Sequence, residues 1–243
     1  MKLSDRLQYI ADQIVNGETM ADIGTDHGFL PIYLLERGIC PRAILADISK
    51  GSLKKAEENC KAFEQNTGRH LNWELRLGDG IDVLEDGEAD AVVMAGIGGQ
   101  LMCEILDWNC AKSRSMKRYI LQPRNHPGLV RKWLYEHGFA IVREGLVREG
   151  KYICEILTVE SGPRPENVPL PPEGGDAAFA YPNSILRWRD PLAAEYLRRK
   201  LELEREILLN ISTNSQNPEQ DSMPVKNRIR QILYLLEELE DEK

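Results

Sequence analysis

Acidic residues close two successive apolar runs near the start of the chain. Asp22 is followed by a tight turn that two glycines, Gly24 and Gly28, bracket before a helical pattern begins. Asp47 closes the next apolar run. If these runs are parallel strands, their carboxyl ends meet at one edge, where acids bind the polar groups of a nucleotide-like cofactor. The acid-x-Gly turn lacks the Gly-x-Gly-x-x-Gly pattern, which favours S-adenosylmethionine over a dinucleotide.

The chemistry of these residues indicates what each can hold. The carboxylate of Asp22 suits an ammonium group, and the two oxygens of Asp47 suit the vicinal hydroxyls of a ribose. Gly24 and Gly28 let the backbone approach a ligand closely. The alternative is a strand-to-helix turn without a cofactor, but the second acid stands at the distance that cofactor binding requires.

Two glycine-rich motifs follow the third and fourth apolar runs. Asp79, within Gly78-Asp79-Gly80, can accept a bond from an adenine amino group, although a solvated turn is the alternative. Ala95-Gly-Ile-Gly-Gly99 stands where many base-amine methyltransferases carry Asn/Asp-Pro-Pro-aromatic. Here the backbone itself is expected to line the methyl-transfer cleft, with close packing of a helix on a strand as the alternative.

Polar residues at the fifth run and in the first turn can contact a base. Gln122 and Asn125 can bond a base edge, and Arg124 can bind a phosphate. Equally, Gln122 can merely shape a loop and Asn125 can cap the next helix. His27 can transfer a proton, bond a base, or simply hold the turn through its ring nitrogens.

Alternating strand-like and helix-like blocks must position these residues. Strands are predicted at 19–23, 42–47, 71–77, 89–95 and 117–122, and helices at 5–15, 29–37, 50–65, 99–107 and 127–137. Repeated β-α units predict a parallel sheet with helices on both faces. Residues 139–148 and 151–160 then flank Glu149-Gly150 and predict an antiparallel hairpin. This α/β pattern, parallel strands plus one antiparallel hairpin, is typical of the Rossmann-like sheet of class I methyltransferases.

The last third of the chain differs in composition. Residues 161–175 hold five prolines and three glycines, which predicts a linker or an extended strap. Apolar stripes over 191–211 and 225–239, with the polar loop 212–223 between them, predict an antiparallel α-helical hairpin. We therefore expect a methyltransferase domain at 1–160 and a linker with a helical hairpin at 161–243.

Composition limits the class of protein. Of 243 residues, 42% are hydrophobic and 29% charged, an ordinary globular composition without an apolar run long enough to cross a membrane. The first residues lack the apolar core of a signal peptide, and five cysteines without metal-like spacing indicate reduced thiols, so we expect a cytoplasmic protein. The net charge of −8 argues mildly against a nucleic acid partner. The local electrostatic field around the site, however, determines whether nucleic acid can bind there.

A basic-aromatic cluster lies in the predicted helical region. Trp188 stands between Arg187 and Arg189, and Arg198 and Arg199 follow. Such a surface can bind an RNA backbone or stack a base, although the charged solvent face of a hairpin is the default interpretation.

Together these motifs resemble the bacterial tRNA (adenine-22-N1)-methyltransferases, the TrmK family. The resemblance is carried by Leu3–Leu7, Asp22–Gly28, Ala46–Ile48, Gly78–Gly80, Ala95–Gly99 and Leu121–Pro123, and it extends to the C-terminal hairpin. It implies an S-adenosylmethionine-dependent enzyme that methylates N1 of an adenine in the D-arm region of tRNA. The alternatives are a methyltransferase for a small molecule or protein and a non-enzymatic scaffold.

The resemblance and the residues assign the following roles. The expected cofactor site comprises Asp22, Gly24, Gly28, Asp47, Ile48, Asp79, Gly80, Ala95, Gly96 and Ile97. The expected catalytic residues are Asp26, which can favour the cationic product, and His27, Gln122 and Asn125, which line the base pocket. The expected substrate-binding residues are Arg124, Arg187, Trp188, Arg198 and Arg199. We expect tRNA as the partner, a monomer, no metal and no membrane contact.

Overall fold

A seven-stranded sheet forms the centre of the computed structural model, which describes residues 1–162, 165–166 and 175–241. Its strands are β1 (Met20–Ile23), β2 (Ala43–Asp47), β3 (Trp73–Leu77), β4 (Ala91–Ile97), β5 (Arg118–Pro123), β6 (Phe139–Glu149) and β7 (Tyr152–Ser161). The strand order is β3-β2-β1-β4-β5-β7-β6, with β1 to β5 parallel and the β6–β7 hairpin antiparallel. The predicted class I methyltransferase architecture is confirmed.

Helices cover both faces of this sheet. They are α1 (Asp5–Ala11), α2 (Phe29–Glu36), α3 (Lys50–Thr67), α4 (Gly99–Trp108), α5 (Cys110–Ser115), α6 (Pro127–Glu136), α7 (Asp176–Ala180), α8 (Ser184–Trp188), α9 (Ala193–Asn214) and α10 (Pro218–Asp241), with a 3-10 turn at Gly80–Val83. Neighbouring strand residues point to opposite faces, so Met20 packs under α1 to α3 while Ala21 packs under α4 and α6. Each face therefore has its own apolar core.

Capping residues explain several helix ends. The Ser4 side chain accepts a bond from the Leu7 amide and begins α1. Gly38 and Gly138 follow α2 and α6 with φ of 67° and 74°, a left-handed conformation that glycine adopts without a Cβ clash. The helix predicted to Val15 instead ends at Ala11, because the next residues form turns.

The C-terminal region differs in detail from the sequence-based prediction. The predicted polar loop 212–223 is wrong in extent, because α9 continues to Asn214 and α10 begins at Pro218. Proline fits the first turn of a helix, where its missing N–H has no partner to lose. The short helices α5, α7 and α8 were not predicted. The predicted linker 161–175 lies largely outside the described residues.

The hairpin of α9 and α10 is joined to the sheet by a buried polar cluster. Arg131 of α6 bonds Glu144 of β6 at 2.9 Å and Glu155 of β7 at 2.7 Å. Tyr196 of α9 donates to the same Glu155. Around this cluster, Leu146 of β6 packs with the apolar side chains of α8, α9 and α10. The hairpin is thus held against β6 and β7.

Candidate cofactor and base site

The carboxyl ends of β1 and β2 are tied together at the first turn. The strands pair in parallel, with Ile23 opposite Ala46. The amides of Gly24 and Thr25 both donate to the Ala46 carbonyl, at 2.9 and 3.0 Å. Asp22 and Asp47 therefore stand at the same edge of the sheet, as the sequence predicts.

Asp22 is a half-buried carboxylate with a raised pKa. Burial raises the pKa of Asp22 to about 6, and the negative charge of Asp47 adds to that effect. The positive charge of Arg6, on α1, opposes it. A cationic group placed beside Asp22 would relieve this electrostatic cost, and the ammonium group of S-adenosylmethionine is such a cation.

Asp47 and its neighbours offer both polar and apolar contacts. Asp47 Oδ1 accepts the Ser49 amide at 2.7 Å, and within the described chain no hydrogen bond reaches its Oδ2. Ile48 and Leu77, at the ends of β2 and β3, expose 71% and 50% of their surface. Leu77 lies opposite Asp47 in the strand register, and the exposed Asp79 follows two residues later. This edge fits a ribose beside an apolar, planar base; Leu77 was missed because its run looked like ordinary strand core.

The glycines of the predicted cofactor site fall into two groups. A Cβ at Gly28 would lie 2.9 Å from Leu45 Cδ2, and one at Gly80 would lie 2.6 Å from Ile105 Cγ2. These two glycines are therefore needed for close packing of helices on the sheet. Gly96 is different: its φ is +76°, it forms a bulge between Ala95 and Ile97, and a Cβ there would meet nothing within 4 Å. Gly96 borders open space.

That open space is a cleft of about 1260 Å³ between the sheet edge and the helical hairpin. On the sheet side it is lined by Gly96, Gln122, Arg124, Asn125 and Glu149. On the helical side it is lined by Lys132, Phe179, Tyr196, Lys200, Leu203 and Ile207. A ligand in the cleft would contact the bulge at Gly96 and the hairpin at the same time.

Gln122 is held in the cleft by a residue that the sequence analysis did not single out. Gln122 is buried, and its Oε1 accepts a bond from Arg6 at 3.1 Å. Arg6 also donates to the carboxylate of Glu149, at the β6–β7 turn. No sequence motif predicts that Arg6 and Glu149 approach each other, since Arg6 lies on a short amphipathic helix and Glu149 lies in a predicted turn. Only the fold brings them together.

Asn125 has a structural bond that the sequence analysis placed elsewhere. Its Oδ1 accepts the Gly99 amide at 2.9 Å and so caps the start of α4 rather than the start of α6. The next helix, α6, begins after His126, whose φ is +48°. Asn125 still lines the cleft beside Arg124.

Asp26 and His27 form a separate group outside the cleft lining. His27 Nε2 lies 3.1 Å from Asp26 Oδ2, and Lys55 of α3 binds the other Asp26 oxygen at 3.0 Å. The His27 ring stacks on Phe29 with centroids 5.2 Å apart. The structure therefore separates the four predicted catalytic residues into two pairs, with only Gln122 and Asn125 in the cleft.

The predicted basic-aromatic cluster also lies outside the cleft lining. The indole nitrogen of Trp188 is buried beside a small cavity that Arg131 and Glu144 line, and Arg187 lies over the indole ring. Arg198 pairs with Glu240, and Arg199 with Glu195. Among the described residues, the arginine and lysine side chains that line the cleft are Arg124, Lys132, Lys200 and Arg228, together with Arg6.

Neither a metal centre nor a membrane-spanning helix is found among the described residues. They contain no group of three or more His, Cys, Asp or Glu side chains placed to hold a metal ion. In that same part of the chain, none of the helices has both the length and the apolar character of a membrane span.

Comparison with known proteins identifies methyltransferases as relatives of this chain. A family model for a methyltransferase domain matches residues 3–157. The tRNA (adenine(22)-N(1))-methyltransferase of Bacillus subtilis strain 168 is 38% identical over 164 residues, which cover 68% of this chain and 67% of the relative.

Solved structures match over almost the whole chain. The crystal structure of the B. subtilis m1A22 tRNA methyltransferase TrmK has a TM-score of 0.82 at 29% identity, covering 97% of this chain and 99% of that one. The Streptococcus pneumoniae protein Sp1610, in complex with S-adenosyl-L-methionine, has a TM-score of 0.80 at 26% identity, covering 97% and 100%. The similarity therefore includes the C-terminal hairpin as well as the sheet.

Proposed function

This chain belongs to the tRNA (adenine-22-N1)-methyltransferase family, and on that premise we propose that it methylates N1 of adenine 22 in tRNA, with S-adenosylmethionine as the methyl donor. The observation that carries the proposal is the cleft that joins Gly96, at the cofactor edge, to Lys200 on the hairpin. A base that reached Gly96 would still be attached to a nucleic acid backbone, and the cleft, at about 1260 Å³, is larger than the roughly 300 to 1,000 Å³ of typical small-molecule pockets.

We assign the cofactor contacts from the chemistry of the strand ends. Asp22 binds the ammonium group, Asp47 binds the ribose hydroxyls, and Asp79 accepts a bond from the adenine amino group. Ile48 and Leu77 give the adenine ring an apolar surface, because both are exposed at the same edge. Gly24, Ala95, Gly96 and Ile97 border the place of the reacting methyl group.

The chain's contribution to the reaction is mainly positioning. S-adenosylmethionine supplies an electrophilic methyl group on its sulfonium. Adenine N1 has a free lone pair, so no side chain must remove a proton before attack. Gln122 and Asn125 hold the base in line with the donor, which contributes most of the rate. Because N1 lies on the Watson–Crick edge, a paired adenine must first leave its helix.

Asp26 and His27 stay candidates for a role near the reacting groups, although neither lines the cleft. Their own contacts, with Lys55 and Phe29, favour a structural role in the first turn. Arg124 binds a phosphate at the cleft. For Arg187, Trp188, Arg198 and Arg199 we retain the proposal of a tRNA contact, on the outer surface rather than in the cleft.

The wider assignments follow from the substrate. We propose that the enzyme acts as a monomer in the cytoplasm, where tRNA is modified. The chain divides into a methyltransferase domain at 1–160 and a linker with a helical hairpin at 161–243. The hairpin contacts the tRNA body while the sheet carries the reaction.

Mass mapping of methylated nucleosides tests the function directly. The enzyme is incubated with labelled S-adenosylmethionine and an unmodified tRNA transcript, and we expect 1-methyladenosine at position 22 alone. A transcript with guanine at that position is the matched control and should take no label. Label in a small-molecule pool or in protein, with none in tRNA, would contradict the proposal.

A further inference from the structure

We propose that Arg6 is a positioning residue that gives the base pocket a hydrogen-bond pattern specific for adenine. The inference rests on the proposed function, because it concerns how the reacting base is held. Arg6 donates to Gln122 Oε1 at 3.1 Å and to the carboxylate of Glu149. All three side chains line the cleft, so one guanidinium fixes two groups that a base would meet.

The bond from Arg6 determines which end of the Gln122 amide a ligand meets. Arginine has donors and no acceptor, so the Gln122 atom that faces it is the oxygen. The Gln122 nitrogen donates one hydrogen to the Pro123 carbonyl at 3.1 Å. One N–H of the amide is then left for a ligand, and Gln122 presents a donor.

Glu149 presents the opposite character. One carboxylate oxygen accepts from Arg6, and among the described residues no hydrogen bond reaches the other. The side chain is 36% exposed and borders the cleft, so this oxygen is accessible. An ionised carboxylate only accepts hydrogen bonds. Gln122 and Glu149 therefore offer a donor and an acceptor in the same cleft, and both side chains are bonded to one guanidinium.

A donor and an acceptor in one cleft match one edge of adenine. Adenine carries an acceptor at N7 and a donor at its N6 amino group, whereas guanine carries two acceptors, N7 and O6. Gln122 would bond N7 and Glu149 would bond the N6 amino group, while O6 of guanine would face the carboxylate. This edge leaves N1 free for the methyl group. The carboxylate also favours the cationic product, the role that the sequence predicted for Asp26.

Base analogues at the target position separate this role from a merely structural one. Wild-type enzyme should methylate a tRNA with purine, which lacks the N6 amine, about 5- to 150-fold less efficiently in kcat/KM than one with adenine. Arg6→Ala and Glu149→Ala should each lose most of that preference. The intrinsic reactivity of the two bases cancels when the preference is compared between enzymes. The same comparison with a tRNA that carries 7-deazaadenine at the target position tests the proposed bond from Gln122, because this base lacks N7.

Controls keep the interpretation unambiguous. Arg6→Lys should restore part of the adenine preference, because lysine can still donate to Glu149. Arg69→Ala removes an exposed arginine before β3, at the opposite edge of the sheet, and should behave as wild type. Cofactor affinity is measured at pH 8, well above the pKa of about 6 of Asp22, because loss of the Arg6 charge raises that pKa.

Two outcomes would overturn the inference. One is an Arg6→Ala enzyme that keeps the wild-type preference for adenine over purine, whatever its total activity. The other is a wild-type enzyme that methylates both tRNAs equally. If wild-type enzyme transferred no methyl group to any tRNA, the proposed function itself would be wrong, which is a distinguishable result.

Discussion

The phenol of Tyr196, on α9, donates a hydrogen bond to the carboxylate of Glu155, on β7. Both side chains are buried, and Arg131 of α6 binds the same carboxylate at 2.7 Å. Burial raises the pKa of Tyr196 well above its ordinary value, so the phenol stays protonated and remains a donor. The bond links the helical hairpin to the catalytic sheet inside the cleft.

Replacing Tyr196 with phenylalanine should therefore destabilise the protein. Loss of a buried bond to a charged group costs about 1.5 to 3 kcal/mol, which urea unfolding would measure. Tyr234→Phe, on the exposed face of α10, is the matched control and should change the free energy of unfolding by less than about 0.5 kcal/mol. Equal effects of the two substitutions would contradict the structural role of the Tyr196 bond.

Cofactor affinity should depend on pH through Asp22. The ionised carboxylate binds the cofactor ammonium, and its pKa of about 6 means that the free protein loses that charge below pH 6. The dissociation constant of S-adenosylmethionine should rise about tenfold between pH 7 and pH 5. Calorimetry over this range would show it. An Asp22→Asn variant that kept the same pH dependence would exclude Asp22 as its source.

The same carboxylate should make the cofactor-free protein less stable at neutral pH. The folded-state pKa of Asp22, about 6, lies above its ordinary value of 3.8, so its favourable contribution is complete below pH 4 and lost as the pH rises through 6. Asp22→Asn should be more stable than wild type at pH 7.5 by about 1 to 2 kcal/mol, after allowance for its partial exposure. At pH 4 the difference should disappear. Thermal unfolding of both proteins at pH 7.5 and pH 4, without cofactor, checks the sign of this stability difference.

Alanine substitutions at Gly28 and Gly38 should separate the energetic cost of backbone strain from the cost of overpacking. Both have nearly the same left-handed φ, 68° and 67°, but only at Gly28 would a Cβ meet a core side chain, at 2.9 Å. Gly38→Ala should cost about 1 to 2 kcal/mol from backbone conformation alone. Gly28→Ala should cost a further 1 to 3 kcal/mol, roughly, from overpacking against Leu45. If chemical denaturation gave the same loss for both, the helix would not be packed as closely as the structure has it.

Charge reversal on the hairpin should discriminate between the cleft and the outer surface. Lys200 lines the cleft over the Tyr196 ring, whereas Arg198 is paired with Glu240 outside it. Lys200→Glu should raise the KM for tRNA about tenfold and reduce its salt dependence, without changing cofactor affinity. Arg198→Glu should have the smaller effect. The reverse ranking would place the tRNA on the outer surface, where the sequence analysis predicted it.

Local sequence was sufficient to predict the sheet and the edge at which Asp22 and Asp47 meet. Apolar runs that end in Asp22 and Asp47 predict parallel strands, because a strand's end and its acid are neighbours in the chain. The strand pairing and the family comparison confirm that part. The motif at Gly96 could also be located, since a bulge glycine lies in the strand it interrupts.

The other wall of the site could not be predicted, because it is made by residues far apart in sequence. Arg6 and Gln122 are separated by 116 positions, and Tyr196 meets Glu155 only after the hairpin has folded back on β6 and β7. Periodicity finds the buried face of a helix and gives no information about a single charge that reaches across to another element. The extent of α9 and α10 was missed because polar residues on an exposed helix turn resemble a loop in composition.

The buried cluster around Arg131 restricts how this chain can change during evolution. Its members, Arg131, Glu144, Glu155 and Tyr196, come from four different elements, and removing one partner of a buried ion pair costs about 3 to 5 kcal/mol. Stepwise drift at these positions is therefore selected against, whereas a simultaneous exchange for apolar side chains of similar volume is tolerated. Recombination that brought in a hairpin from a distant homologue would yield a folded chimera only if the matching positions of the sheet were inherited with it.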